Sequence, residues 1–431
     1  MSVLSAAVPA YNEVGFGSYH ERRSTEEEMN VLSVVIPAYN EEGGIAQIIE
    51  RVLSIRPGLA KAGVDDLELI VVDDGSRDET ASIAARYSQV RLIRHPVNRG
   101  YGAALKTGFS QAQGNLLGFL DADGTYPPER FPDLCQVALA EDVDLVIGSR
   151  MSGTESEMPL VRRIGNFIFA NLVSLLGNHR VSDSSSGMRV IRREALPRLY
   201  PLPDGLNFTP VMSTRALHEE IGWREIPIPY KERVGRSKLN VVRDGTRFLY
   251  TIIWTALNYN PVRVLGGIGL GLAAITGIIA AIVVGMRLSG ITRLGPWGVV
   301  GVFVASLCAV SGVTLFSLGA TFNYLVSLFH KQPVRQGLFG KPVFKQPLER
   351  HFGWMGLVAM GLGLVVGVSS LTLSLSGWPI ERLWLYLMGT AMLMVVGLQL
   401  TAFWIIMRVL AELSQREIQV AHDLEGQPCE K

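Results

Sequence analysis

The segment FLDADGTYPPE, residues 119–129, sets two carboxylates two positions apart, Asp121 and Asp123, at the close of an apolar run. At the end of an extended strand that spacing turns both side chains to the same side. Two hard oxygen donors converging there suit a divalent cation, Mg2+ or Mn2+, that keeps its other positions for phosphate and water. For an isolated Asp-x-Asp the plainer reading is a solvated acidic turn. Here PAYNEE, DDGS, HPVNRG and SRM close apolar runs in the same way. One polar strand end is ordinary turn chemistry, whereas five in succession are better explained by a ligand site.

Within DDGS, Asp73 and Asp74 are adjacent and face opposite ways, so one can point at a ligand while the other caps a helix or braces the loop. A carboxylate at that depth commonly accepts from a base or a ribose hydroxyl, which makes a nucleoside the natural partner. In NRGYGAAL two glycines open a helix, where backbone N–H groups could approach a ligand closely.

These residues need a scaffold that brings strand ends together. VLSVVIPA, LELIVV, VRLIRH, NLLGFLDA and DLVIGS read as strands. Between them GIAQIIERVLSI, SRDETASIAARY and GYGAALKTGFSQA read as helices, and Pro127 and Pro128 open another. Ser76 and Glu79 have the spacing of a capping box. This alternation predicts an α/β domain, a Rossmann-like, mostly parallel sheet covered by helices, with its ligand at the carboxyl ends of the strands.

The chain has 431 residues and is apolar beyond Phe248. Val264–Met286, Trp297–Phe329, Phe352–Ile380 and Leu383–Met407 carry no charge, and each exceeds the roughly 20 residues a spanning helix needs. The connector 330–351 holds Lys331, Arg335, Lys341, Lys345 and Arg350, so the positive-inside rule places it in the cytoplasm. Four spans return the chain to the side on which it began, which makes both termini and the α/β domain cytoplasmic. Three scattered cysteines fit unpaired thiols in a reducing compartment. A net charge of +1 gives no reason to expect a nucleic-acid partner.

Taken together, IPAYNEE, VVDDGSRDET, NRGYGAALKTGF, DADGTYPPE, IGSRM, SSSGMRVIRREAL and RVGRSKLN resemble, in order and spacing, the GT-A glycosyltransferases of family 2. The resemblance covers roughly Val31 to Asn240 and is strongest to the branch of dolichyl-phosphate mannose synthase and the bacterial polyprenyl-phosphate glycosyltransferases. It implies transfer of one sugar from a UDP- or GDP-sugar donor to polyprenyl phosphate at the bilayer, metal-dependent and inverting. By similarity Pro37, Tyr39 and Glu41 line the nucleotide pocket, and Asp73 holds the base or ribose. Asp121 and Asp123 hold the metal that bridges the donor diphosphate. Thr125 occupies the position where many relatives carry a metal-touching Gln, and by similarity it is a third metal contact. Arg150 meets phosphate, and Asp183, Ser186 and Arg189 approach the reacting centre, Asp183 as a base or an orienting group. Arg233, Ser237 and Lys238 are phosphate ligands of donor or acceptor.

A lipid phosphate monoester, with a second pKa of about 6, is largely ionised at neutral pH and hardly needs a base. The protein's task is then to supply cations between two anions. A processive polysaccharide synthase is a rival reading, but its Q-x-x-R-W string is absent. A lipid carrier or translocase with a degenerate transferase head is another, opposed by the intact Asp121, Asp123, Arg150 and Lys238.

The expected domains are an extension over 1–29, a GT-A domain over 30–238, an interfacial helix over 239–260, four spans over 261–410 and a tail over 411–431. The spans fall at about 264–286, 298–328, 353–376 and 383–407. In the interfacial helix Val241, Phe248, Ile252 and Ala256 share one stripe, set apart from Arg243, Asp244 and Arg247. Self-association and movement of the lipid-linked sugar by the membrane domain are left open. The extension begins VLSAAVPAYNEVG, an imitation of VLSVVIPAYNEEG at Val31, and runs into a charged segment with no apolar face, so it is expected to be disordered and dispensable.

Overall fold

The computed structural model describes residues 29–151, 156–177, 180–219, 221–231, 241–291, 294–330 and 348–425. The first copy of the repeated motif, Arg233, Ser237, Lys238 and most of the basic connector lie outside these residues.

Seven strands form one sheet in the order β3-β2-β1-β4-β6-β5-β7. They are β1 Val31–Ala38, β2 Asp66–Asp73, β3 Val90–Arg94, β4 Leu116–Phe119, β5 Leu145–Ser149, β6 Arg189–Arg192 and β7 Trp223–Pro227. β6 runs antiparallel to β4 and β5, and the remaining pairs are parallel, as a GT-A sheet requires. Period-two alternation sorts the strand side chains onto two cores. Leu32, Val34 and Ile36 of β1 join one face, and Val35 joins the other with Ile70 and Val72 of β2.

Helices α1 Ile45–Ser54, α2 Arg56–Lys61, α3 Thr80–Ala84, α4 Tyr101–Gln111 and α5 Phe131–Ala140 cover the sheet. Pro128 opens a 3-10 turn that leads into α5. The capping box does not form. The Ser76 hydroxyl instead accepts from the Asn40 N–H at 2.9 Å, tying the loop after β1 to the loop after β2. Thr80 at the start of α3 is satisfied by Asp78, and α3 is shorter than its sequence pattern suggests.

Beyond β5 come α6 Leu160–Gly177, α7 Leu196–Leu199, α8 Phe208–His218 and α9 Val241–Tyr259. Val173 and Leu176 of α6, Leu217 of α8 and Ile252 and Ala256 of α9 share a separate apolar core. The stripe expected to rest on the bilayer therefore packs on the α/β domain: Phe248, Ile252 and Ala256 are buried. Leu249, Tyr250 and Trp254 of α9 are exposed, as are Arg243 and Arg247.

Four long helices follow: α10 Gly267–Leu288, α11 Pro296–His330, α12 Phe352–Leu375 and α13 Ile380–Glu425. Each covers most or all of one of the uncharged segments and is long and apolar enough to cross a membrane, and α13 runs on through most of the segment read as a tail. Glycines set their packing: a Cβ on Gly269 would lie 2.6 Å from the Gly312 carbonyl, and one on Gly356 2.6 Å from that of Gly397. A fifth helix, α6, is also long and apolar enough to cross a membrane. Arg162 and Arg163 hid it from a search for uncharged runs. It cannot cross, because β6 and β7, which follow it, pair in one sheet with β4 and β5, which precede it.

Candidate active site

β1, β4 and β5 run in one direction, β5 across the antiparallel β6, so their carboxyl ends deliver Pro37, Tyr39, Glu41, Asp121, Asp123 and Arg150 to the lining of one cavity of about 550 Å3. Asp73 lines a neighbouring hollow of about 570 Å3 with Ser76, Arg77 and Arg94, and Tyr39 and Asn98 border both. Asp73 accepts from the Ser76 N–H at 3.1 Å and lies 3.5 Å from the Arg94 guanidinium.

The adjacent Asp74 faces the other way and braces a loop. It accepts from the N–H groups of Arg99 and Gly100 at 2.9 and 2.8 Å and pairs with His95 at 2.7 Å. His95 in turn meets the Thr107 hydroxyl at 3.0 Å, so the loop is pinned to α4. The start of α4 is not open to a ligand in the way its glycines suggest. The Asp204 carbonyl takes the N–H groups of Gly102 and Ala103, and a Cβ on Gly102 would lie 2.1 Å from the Pro203 carbonyl. These glycines admit a neighbouring loop.

Hydroxyls orient both paired carboxylates. Tyr101 donates to Asp121 at 2.8 Å, and Thr125 donates to Asp123 at 2.6 Å. Burial, reinforced by Asp121, pushes the Tyr101 phenol well up, so it remains a donor. Thr125, read as a third metal contact, spends its hydroxyl on aiming Asp123. Two oxygen donors so directed fit one divalent cation whose remaining ligands come from substrate and water; among the described residues no third acidic, His or Cys side chain joins them.

Arg150 forms a two-pronged pair with Asp183, Nε and Nη2 each 2.7 Å from a carboxylate oxygen. The rings of Tyr126 and Tyr230 stand 5.8 and 5.4 Å from its guanidinium carbon. Burial disfavours both charges, but each holds the other ionised: Asp183 lies below the usual carboxylate range and Arg150 above its own. With both oxygens engaged, Asp183 orients Arg150.

Arg189 and Ser186 do not line the cavity. Arg189 is fully buried, donates to the carbonyls of Ser184 and Ser186 at 2.9 and 3.1 Å, and is pushed down to about 10 by burial. The Ser186 hydroxyl donates to the Gly148 carbonyl at 2.5 Å. Both shape the loop that presents Ser185 and Gly187 to the cavity.

Several lining residues escaped the sequence reading. Tyr101 and Tyr126 sat inside quoted motifs without being singled out. Arg162 and Asn166 of α6 and Arg243 and Arg247 of α9 also line the cavity. For the α9 arginines the signal was visible but was taken for contact with the membrane surface.

Residues 33–199 match the family model for glycosyl transferase family 2, and residues 261–421 match a domain of unknown function, DUF8752. A dolichyl-phosphate hexose transferase of Haloferax volcanii is 30% identical over 188 residues, which is 44% of this chain and 81% of that one. The chain belongs to glycosyl transferase family 2. As a member it carries the family's GT-A, Rossmann-like domain, here followed by the apolar helices. It is also 31% identical over 286 residues to the low-salt glycan biosynthesis hexosyltransferase Agl6 of the same organism, spanning 65% of each protein. Among solved structures, glucosyl-3-phosphoglycerate synthase of Mycobacterium tuberculosis, in complex with Mn2+, UDP and phosphoglyceric acid, is similar with a TM-score of 0.44 at 23% identity. That match covers 53% of this chain and 78% of the synthase.

Proposed function

We propose that this family 2 member transfers a single sugar from a nucleotide-sugar to polyprenyl phosphate at the membrane surface. One observation carries the reading. The cavity holding Asp121, Asp123 and Arg150 continues to Arg162 on α6 and to Arg243 and Arg247 on α9, two helices with apolar outward faces. This supports a sugar-transfer site within reach of a lipid phosphate. The Haloferax volcanii relative named as a dolichyl-phosphate hexose transferase supports the same acceptor class.

In this reading Tyr39 and Asp73 receive the nucleoside, and Asp121 and Asp123 hold Mg2+ or Mn2+ against the donor diphosphate. The cation would neutralise charge on the departing diphosphate. Arg150, locked by Asp183 and flanked by two tyrosines, faces phosphate without having to reorganise. The acceptor oxygen, already ionised, attacks the anomeric carbon, and the nucleoside diphosphate leaves from the opposite face with inversion. Its approach requires cations more than a base, and Arg162, Arg243 and Arg247 provide them.

The membrane seat follows from the same helices. Leu160, Val161, Ile164, Phe167 and Ile168 of α6 and Leu249, Tyr250 and Trp254 of α9 are exposed, a combined apolar and aromatic face suited to the headgroup zone. α9 then passes through Pro261 and a π-helical turn, Val262–Gly266, into α10. The positive charge of the connector supports a seat on the cytoplasmic leaflet of the cell membrane.

The test incubates membranes containing the full chain with a panel of labelled UDP- and GDP-sugars and polyprenyl phosphate. One donor is expected to yield an acid-labile glycolipid, and its formation should stop on chelation of divalent metal. Absence of lipid product with every donor would overturn the reading in favour of a lipid carrier.

A further inference from the structure

Two uncharged side chains lining the cavity carry oxygen atoms without partners. Asn166 is only 6% exposed and lines the cavity. Its Nδ2 donates to the Ser182 carbonyl at 3.5 Å, while its Oδ1 is buried with no hydrogen-bond partner. Exchanging the two amide atoms would set the oxygen against the Ser182 carbonyl, acceptor on acceptor, so the carbonyl end is the one left over. Ser185 lines the same cavity, and its buried hydroxyl also lacks a partner.

Chain geometry fixes where these groups stand. Arg162 lies one helical turn before Asn166 on α6, and Ser182, which Asn166 touches, precedes Asp183, the clamp of Arg150. Asn166 thus ties the helix of Arg162 to the loop that clamps Arg150, and Ser185, whose N–H donates to Asp183, stands on that same loop. The group that must pass between two phosphates in the proposed transfer is the sugar. A buried carbonyl oxygen without a donor costs free energy until one arrives, and phosphate oxygens, themselves acceptors, cannot supply it. Sugar hydroxyls can. We propose that Asn166 and Ser185 recognise hydroxyl groups of the transferred sugar and set the enzyme's choice among donors. This rests on the nucleotide-sugar reading above.

The experiment uses the full chain in detergent or nanodiscs. It compares binding of the nucleotide-sugar that the donor panel identifies with binding of its free nucleoside diphosphate, alongside KM for polyprenyl phosphate. Asn166→Leu, close in volume but lacking the acceptor atom, is expected to weaken the nucleotide-sugar about tenfold and Ser185→Ala about threefold. Both should leave nucleoside diphosphate binding within about twofold and the acceptor KM unchanged. Equal weakening of nucleotide-sugar and nucleoside diphosphate, a change confined to the acceptor KM, or no change would each overturn the assignment. If wild-type protein bound neither UDP nor GDP, the donor reading itself would fail, a result distinct from all three.

Discussion

The two ends of the cavity are built differently. At the donor end each polar group is fixed by another: Tyr101 holds Asp121, Thr125 holds Asp123, Asp74 and His95 pin a loop, and Asp183 locks Arg150. At the acceptor end the cations sit on two helices, and Arg243 and Arg247 are exposed above an apolar surface. The difference matches what must be bound. A nucleotide-sugar arrives from water and its reacting centre must be held still, which a buried, prearranged set of charges does without reorganisation. A lipid phosphate arrives sideways from a bilayer, and a closed wall there would exclude its chain.

The sharpest test of the donor end is Asp123→Asn. It keeps the volume and the hydrogen bond from Thr125 but removes a charge, so metal-dependent transfer should fall by about a thousandfold or more while the protein stays folded in the membrane. Full activity in that variant, measured as glycolipid formed, would break the metal assignment.

Next comes Asp183→Asn, which leaves Arg150 buried with half a partner. Removing one member of such a pair costs about 3–5 kcal/mol of stability, and transfer should fall about a hundredfold as Arg150 loses its aim. A pH dependence follows with a definite sign. Asp183 is held below the usual carboxylate range, so the stability it contributes is complete above its unfolded value of about 3.9 and is lost as pH falls towards its folded one. Thermal melts of the wild type should drop between about pH 4 and lower values, and those of Asp183→Asn should drop less. Parallel melting curves would remove the buried pair from the account.

At the acceptor end, Arg243→Ala or Arg247→Ala should raise KM for polyprenyl phosphate about tenfold, with the donor KM unmoved. The effect should shrink at high salt, since both side chains face solvent. A donor KM that rose in step would erase the distinction between the two ends.

How far all this could be read from residues alone depended on distance along the chain. Five strand ends were legible because each apolar run is followed directly by its polar turn. β6 was not read as a strand: Arg189–Arg192 is four residues with an arginine at each end. Only the fold shows that Arg192 is buried against the carbonyls of Val143 and Ala138. The capping box misled because the partner of Ser76 is Asn40, 36 residues back. The glycines of α4 misled because Asp204, a hundred residues on, occupies the helix start. Asp121, Asp123 and Thr125 could be singled out by spacing and resemblance, whereas Tyr101 and the aiming role of Thr125 could not, since a supporting role needs a partner that spacing does not reveal. The same limit left the α9 arginines as the polar side of an interfacial helix.

The smallest expected effect concerns the doubled motif. A chain beginning at Met29 should retain full transfer activity, because the anchoring of β1 starts at Asn30. Asn30 donates its N–H to Asp65 at 2.7 Å and its amide to the Gly63 carbonyl at 3.0 Å, and it accepts from Asn115 at 3.0 Å. Asn115 then accepts the N–H of Val31, which sets the register from which Pro37 and Tyr39 reach the cavity. Among the described residues these contacts position the second copy, and all of them lie at or after Asn30, so glycolipid formation within about twofold of the full chain is the expected result. A loss of tenfold or more would mean that the first copy touches the donor end, and the contrast between a self-contained donor end and an open acceptor end would have to be redrawn.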